Sequence, residues 1–102
     1  MPKRTFAAFV QRTERWDTTR QPMDQEGFAG HAAFVAELEA DGFVALAGLM
    51  APSAEVLFIF LADSEEEVRT RMGRDPWQQD GRVRLARVEE IHIRIGAPKQ
   101  ND

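Results

Sequence analysis

The side chains best suited to chemistry in this sequence are one histidine and one aspartate, His31 and Asp75. His31 falls within an apolar stripe of helical spacing, so we expect its imidazole to point inward, where it needs hydrogen-bond partners. Asp75 follows the end of a second predicted helix, and its carboxylate could hold the tautomer of an imidazole on the neighbouring helix. Such a pair can take up and return a proton, as general acid–base catalysis requires.

Both residues also have a purely structural interpretation. A buried histidine can be satisfied by a backbone carbonyl without meeting any ligand. Aspartate is a favoured turn residue before a proline, and Asp75 stands directly before Pro76. The residue pattern leaves both interpretations open.

Four further residues complete a tentative substrate pocket. Proton abstraction next to a carbonyl needs a group that holds the developing oxyanion, and Arg15 or a backbone amide near Gly48 could supply it. Trp16 and Trp77 could wall the pocket and stack on a flat ligand. Either tryptophan could equally serve packing alone.

The residue types give no indication of a metal or another cofactor. The chain has no cysteine and two histidines, and the second, His92, lies in phase with the polar residues Glu90 and Arg94. No phosphate-binding glycine loop is recognisable, because Gly27 and Gly30 lie in the first helical region, where they suit close packing beside His31.

Composition and length limit the class of protein. The 102 residues, 43% of them hydrophobic, suit a single domain, predicted over residues 1–97 with a polar tail at 98–102. The net charge of −4, without long blocks of one sign, disfavours nucleic-acid binding. No apolar window is long enough to span a membrane, and the N-terminal residues do not resemble a signal peptide. We therefore expect a cytoplasmic protein.

The first half of the chain is predicted to form a strand and a helix. Residues 5–13 are rich in aromatic and β-branched side chains and indicate a strand, followed by a polar loop over 14–23. Asp24 is the predicted N-cap of a helix over 25–41, which Gly42 closes.

The second half is predicted to form a hairpin, a helix and a last strand. The apolar runs 43–50 and 56–62 indicate the hairpin. Ser64 and Glu67 form a capping box that opens a helix over 65–72. After a turn at 78–81, residues 83–95 alternate as a strand.

The resulting order, β-α-β-β-α-β, predicts an α+β, ferredoxin-like domain with a four-stranded antiparallel sheet and both helices on one face. The strand at 56–62 is apolar on both sides, so two helices cannot cover it completely. An exposed apolar face of this kind usually marks an interface, which predicts a homodimer packed through the open sheet face. The alternative is that the 14–23 loop or the tail covers that face.

Several segments together resemble the YciI-like, or YCII-related domain, family. They are the first-helix histidine His31, the second strand GFVALAG at 42–48, the FIFLADSEEEV segment at 58–68 and the Asp-Pro-Trp turn at 75–77. The extended loop before the first helix is similar to a longer-loop subgroup. One position departs from the family pattern, because the proline that commonly follows the second-strand glycine closely comes only at Pro52.

The resemblance implies a small dimer of the dimeric α/β barrel type, with His31 and Asp75 as a histidine–aspartate pair between the helices and the sheet. A characterised relative is a dehydrochlorinase of a chlorinated hydroxyhydroquinone, while most members have no assigned substrate. The resemblance thus implies a cofactor-independent lyase or isomerase acting on a small enol or phenolic metabolite. A non-catalytic metabolite-binding or dimeric structural protein is the alternative.

Overall fold

The computed structural model describes residues 3–96. Its elements are β1 (Arg4–Arg12), a single 3-10 turn (Pro22–Asp24), α1 (Phe28–Ala40), β2 (Val44–Leu49), β3 (Val56–Ala62), α2 (Glu65–Met72), α3 (Pro76–Gln79) and β4 (Val83–Glu90). None of the helices in this part of the chain has the length and apolar character that crossing a membrane requires.

The four strands form one antiparallel sheet in the order β2-β3-β1-β4. The central strands β1 and β3 pair Phe6 with Phe60 and Ala8 with Phe58. A register shift between Phe9 and Val10 interrupts the pairing of β1 with β4. The predicted α+β class and four-stranded sheet are confirmed, and the strand order is consistent with a ferredoxin-like arrangement.

The core lies between the inner face of the sheet and the helices. Alternate residues of β1 and β3, including Phe6 and Phe60, point into it and meet Leu38 from α1 and Val68 and Met72 from α2. This packing follows from the two periods in the sequence, because strand residues alternate between faces while helix residues recur every three or four positions.

The first helix begins later than predicted. Asp24 belongs to the 3-10 turn, and α1 starts at Phe28 after Gly27, whose φ of 82° is left-handed. The prediction of Asp24 as the N-cap is therefore wrong, because Gln25 turns its side chain into the preceding loop instead of entering the helix. The predicted stop at Gly42 is confirmed, with a φ of 73°.

The second helix has the predicted bounds. The Ser64 hydroxyl accepts the amide hydrogen of Glu67 at 3.1 Å, as in a capping box, while the Glu67 carboxylate accepts from the amide of Asp63. The predicted turn at 78–81 overlaps a further helical turn, α3, which starts at Pro76.

The last strand is shorter than predicted. β4 ends at Glu90, which pairs with Phe6, and the amide of Ile91 makes the last ladder bond, to the carbonyl of Thr5. Beyond that point β1 has almost no residues left to pair with, so the alternating isoleucines do not extend the strand, and Ile95 is exposed. Residues 97–102, including the predicted tail, lie outside the described residues.

The outer face of the sheet carries the second apolar row of β3. Leu57, Ile59 and Leu61 lie there, and Leu57 pairs with Phe9 of β1. Ile59 is only 8% exposed, because its strand neighbours shield it. Trp16 of the 14–23 loop packs in the inner core, so the structure does not support this loop as a cover for the outer face.

Replacing Leu38 by alanine should lower the free energy of unfolding by about 2–5 kcal/mol, because the fully buried side chain leaves a cavity between α1 and the sheet. Urea denaturation monitored by tryptophan fluorescence measures the change. The adjacent exposed residue provides the control, and Glu39→Ala should change stability by no more than about 0.5 kcal/mol. Equal effects of the two substitutions would contradict this description of the core.

Candidate active site

His31 and Asp75 are in direct contact. The Nδ1 atom of His31 lies 2.9 Å from Oδ1 and 3.0 Å from Oδ2 of Asp75. The aspartate side chain is 3% exposed, whereas the histidine side chain is 21% exposed. The expected contact between the two helical regions therefore exists, with the carboxylate inside and the imidazole at the boundary with solvent.

The position of Asp75 follows from the Asp-Pro sequence. Asp75 is the N-cap of α3, and its Oδ1 accepts the backbone N–H of Trp77 at 3.0 Å. Proline suits the first helical position, where no intrahelical donor is needed, and aspartate is among the best N-cap residues. The structural role that the sequence allowed for Asp75 thus exists together with the contact to His31.

The hydrogen bonds assign the histidine tautomer. An ionised carboxylate only accepts, so Nδ1 of His31 carries the hydrogen and donates it to Asp75. The other ring nitrogen, Nε2, is then the one that can accept a proton. This is the arrangement expected of an imidazole that acts as a base.

Gly30 lets the two elements approach closely enough for this contact. A Cβ atom at Gly30 would lie 3.2 Å from Cγ of Pro76, tighter than an ordinary van der Waals contact. The glycine on α1 thus accommodates the proline that follows Asp75. The expectation that Gly30 serves close packing beside His31 is confirmed.

Trp77 forms one wall of the site. Its ring stacks on the His31 imidazole, with centroids 3.8 Å apart and an interplanar angle of 12°. The indole Nε1–H donates to the carbonyl of Glu26 at 2.9 Å. The Trp16 ring meets the Trp77 ring edge-on, with centroids 5.0 Å apart. The two tryptophans therefore fix the plane in which the imidazole lies.

A cavity of about 230 Å³ adjoins the pair. Its lining is predominantly apolar, and Arg12, His31 and Asp75 are its only ionisable members among the described residues. The apolar lining residues are Val10, Trp16, Pro22, Phe28, Leu49, Ala54, Val56, Phe58, Met72, Trp77 and Val83. An apolar cavity with a few converging polar groups is the usual form of a small-molecule site.

A buried glutamine holds the loop that carries Trp16. Gln25 is 3% exposed; its Oε1 accepts the amide of Asp17, and its Nε2 donates to the carbonyls of Asp17 and Arg20. Hydrogen bonds from Thr19 lower the pKa of the half-exposed Asp17 carboxyl. Sequence reasoning missed this anchor, because a glutamine between polar neighbours carries no sign of burial.

The structure separates the four tentative pocket residues into two groups. Trp16 and Trp77 line the cavity, as expected. Gly48 lies outside the lining, because it pairs with Leu57 on the outer face of the sheet. Arg15 is exposed, and its side chain runs beside Gly81 instead of toward the pair. Neither residue is placed to hold an oxyanion in this cavity.

Arg12, and not Arg15, is the arginine that lines this cavity. Its guanidinium lies over the Trp16 ring at 4.3 Å from the ring centroid. The strand period provides the signal that sequence reasoning missed, because Arg12 is two residues after the inward-facing Val10 on β1.

Within residues 3–96, no three histidine, aspartate or glutamate side chains are grouped closely enough to hold a metal ion. His92 is exposed and lies just beyond β4, as its polar phase suggested.

Comparisons of the sequence with family models, with curated proteins and with solved structures find no match. The resemblance to YciI-like proteins consequently stays an expectation from the residues.

Replacing Asp75 by alanine should lower the free energy of unfolding by about 1–3 kcal/mol, because two N–H donors lose their buried acceptor. Asp75→Asn should lower the free energy of unfolding by less, since an asparagine oxygen can still cap α3. Urea denaturation of both variants gives the comparison.

The exposed Asp63 provides the control for this prediction. Asp63→Ala should change stability by no more than about 0.5 kcal/mol. A loss in Asp75→Ala no larger than in this control would show that the buried carboxylate has little structural importance.

Proposed function

We propose that this protein is a cofactor-independent lyase or isomerase in which His31 and Asp75 transfer a proton on a small metabolite. The observation that carries the proposal is the contact between the almost fully buried Asp75 carboxylate and Nδ1 of His31. This contact leaves Nε2 as the proton acceptor of a residue that lines a predominantly apolar cavity.

The proposed reaction begins at a carbon next to a carbonyl. Nε2 of His31 takes the proton from this carbon, and the electrons of the C–H bond move into an enolate. His31 becomes an imidazolium, which the negative charge of Asp75 stabilises. Return of the proton to a different carbon completes an isomerisation, whereas departure of a leaving group with its bonding electrons completes an elimination.

The cavity favours a small, flat substrate. Its volume of about 230 Å³ lies below the roughly 300–1,000 Å³ typical of sites for drug-sized ligands. The aromatic rings of Trp16, Phe28 and Phe58 face it and suit a planar unsaturated compound. An enol or phenolic metabolite, as the resemblance implies, meets these requirements.

A non-catalytic metabolite-binding protein is the second candidate. The dual role of Asp75 favours it, because capping α3 is a sufficient structural reason for a buried aspartate at this position. In that case His31 would only bind the ligand, and its replacement would weaken affinity without abolishing any turnover.

Replacing His31 by glutamine should lower kcat by about 10²–10⁴-fold on any substrate of the enzyme, because the general base is lost. A screen of the purified protein against small enols, lactones and halogenated phenols, followed by steady-state kinetics, gives the measurement. The exposed His92 supplies a matched control, and His92→Gln should retain full activity. Undiminished turnover by the His31 variant would exclude the proposed mechanism.

We also propose a YciI-like homodimer of the α/β barrel type, packed through the outer faces of two sheets. The centre of this face is apolar, with Ala7, Phe9, Leu57 and Ile59 in neighbouring positions of β1 and β3. Burying such a patch contributes roughly 25 cal/mol per Å². This term favours association over exposure to water.

The polar border of the outer face supports pairing with a second copy. Arg87 lies over the Phe9 ring at 4.2 Å and pairs with Glu89, while Gln11 bonds both Glu55 and Arg84. The border thus contains charges of both signs beside an apolar centre. A surface of this composition can complement itself across a two-fold axis.

Leu57→Lys should convert the protein into a monomer of 11.6 kDa, because a charge would be buried at the centre of the proposed interface. Sedimentation equilibrium at micromolar concentration measures the mass, and circular dichroism checks the fold. Met23, which is exposed and lies in the 3-10 turn, provides the control. Met23→Lys should stay dimeric, and a wild-type monomer would contradict the interface.

A further inference from the structure

Arg12 places a positive charge at the wall of a predominantly apolar cavity. It is the last residue of β1 and pairs with Val83 of β4. Its guanidinium covers one face of Trp16, the edge of which meets Trp77, and Trp77 in turn stacks on His31. The cation and the proton-transferring pair are therefore joined by the two tryptophans along the same cavity.

The charge of Arg12 has no carboxylate partner within residues 3–96. Six other arginines in that range form ion pairs, for example Arg71 with Asp41 at 2.7 Å and Arg82 with Asp80 at 3.0 Å. Asp75, the one carboxylate that lines the cavity, bonds to His31 and to the amide of Trp77 instead. The guanidinium donors of Arg12 are thus available to a ligand.

We propose, resting on the site assigned above, that the substrate is a small planar carboxylic acid, aromatic or conjugated, whose carboxylate pairs with Arg12. A guanidinium presents parallel N–H donors that match the two oxygens of a carboxylate. The unsaturated part of the molecule then lies among the aromatic side chains. This orientation directs the carbon skeleton from Arg12 toward His31.

The position of Arg12 over Trp16 fits this role. The cation–π contact restricts the long side chain before a ligand arrives, so less side-chain freedom is lost on binding. Arg12 is itself exposed, but the cavity beside it is predominantly apolar, and a charge pair next to apolar surface is stronger than one in bulk water. A neutral compound of the same shape gains neither contribution.

Benzoate and its neutral analogue benzamide test the proposal. The indole N–H signals of Trp16 and Trp77, followed by NMR titration of the full chain, report occupation of the cavity. Benzoate should shift both signals and bind about tenfold or more tightly than benzamide, the difference expected for a charge-assisted hydrogen bond. Equal affinity for the two compounds, or no binding of benzoate, would overturn the proposal.

Variants of Arg12 and Arg15 show which arginine is responsible for benzoate binding. Arg12→Gln should weaken benzoate binding about tenfold or more and leave benzamide binding unchanged, while Arg12→Lys should restore part of the benzoate affinity. Arg15→Gln is the matched control, because Arg15 lies outside the cavity lining. Equal losses of benzoate affinity in the Arg12→Gln and Arg15→Gln variants would show only a general electrostatic effect. That result would refute the assignment of carboxylate binding to Arg12.

The same titration on His31→Gln separates this proposal from the catalytic one. Benzoate should still bind that variant with an affinity that depends on Arg12. If benzoate binding depends on Arg12 but no turnover depends on His31, the proposed ligand class stands and the proposed enzymatic activity is wrong. If turnover depends on His31 but occurs only with neutral compounds, the proposed enzymatic activity stands and the proposed carboxylate ligand is wrong.

Discussion

The buried carboxylate of Asp75 is the interaction on which the site depends. A charge almost completely removed from water costs free energy unless donors compensate it. Asp75 has such donors on both sides, the Nδ1–H of His31 on α1 and the backbone N–H of Trp77 at the start of α3. One side chain therefore caps a helix, fixes an imidazole and holds two elements together.

The aromatic side chains extend this constraint to the loop before α1. Trp77 is fixed by its place in α3, stacks on His31 and donates to the carbonyl of Glu26. Trp16 packs against its edge, and the buried Gln25 holds the loop that carries Trp16. The cavity wall is thus built from residues that are distant in the chain, and its shape depends on this packing.

The elements that local sequence controls were predicted accurately. The helix α2 has its predicted bounds because the Ser64 hydroxyl caps its first turn and Glu67 accepts the amide hydrogen of Asp63 just before it. The predicted bounds are wrong where contacts with residues distant in the chain determine where an element starts or ends. The last strand stops at Glu90 because almost no residues of β1 remain for pairing beyond that point, and α1 starts late because Gln25 bonds to the loop instead.

By itself, the sequence determined the α+β class and the apolar faces of the strands, and it singled out the histidine and the aspartate that we propose transfer a proton. These features depend on periodicity and residue type, which are local properties. Only the tertiary structure decided which cation faces the cavity. Arg12 and Arg15 are close neighbours in sequence, yet strand direction turns Arg12 inward, while the loop carries Arg15 away beside Gly81. Side-chain direction at such positions depends on strand register and loop contacts, which form only when distant segments meet.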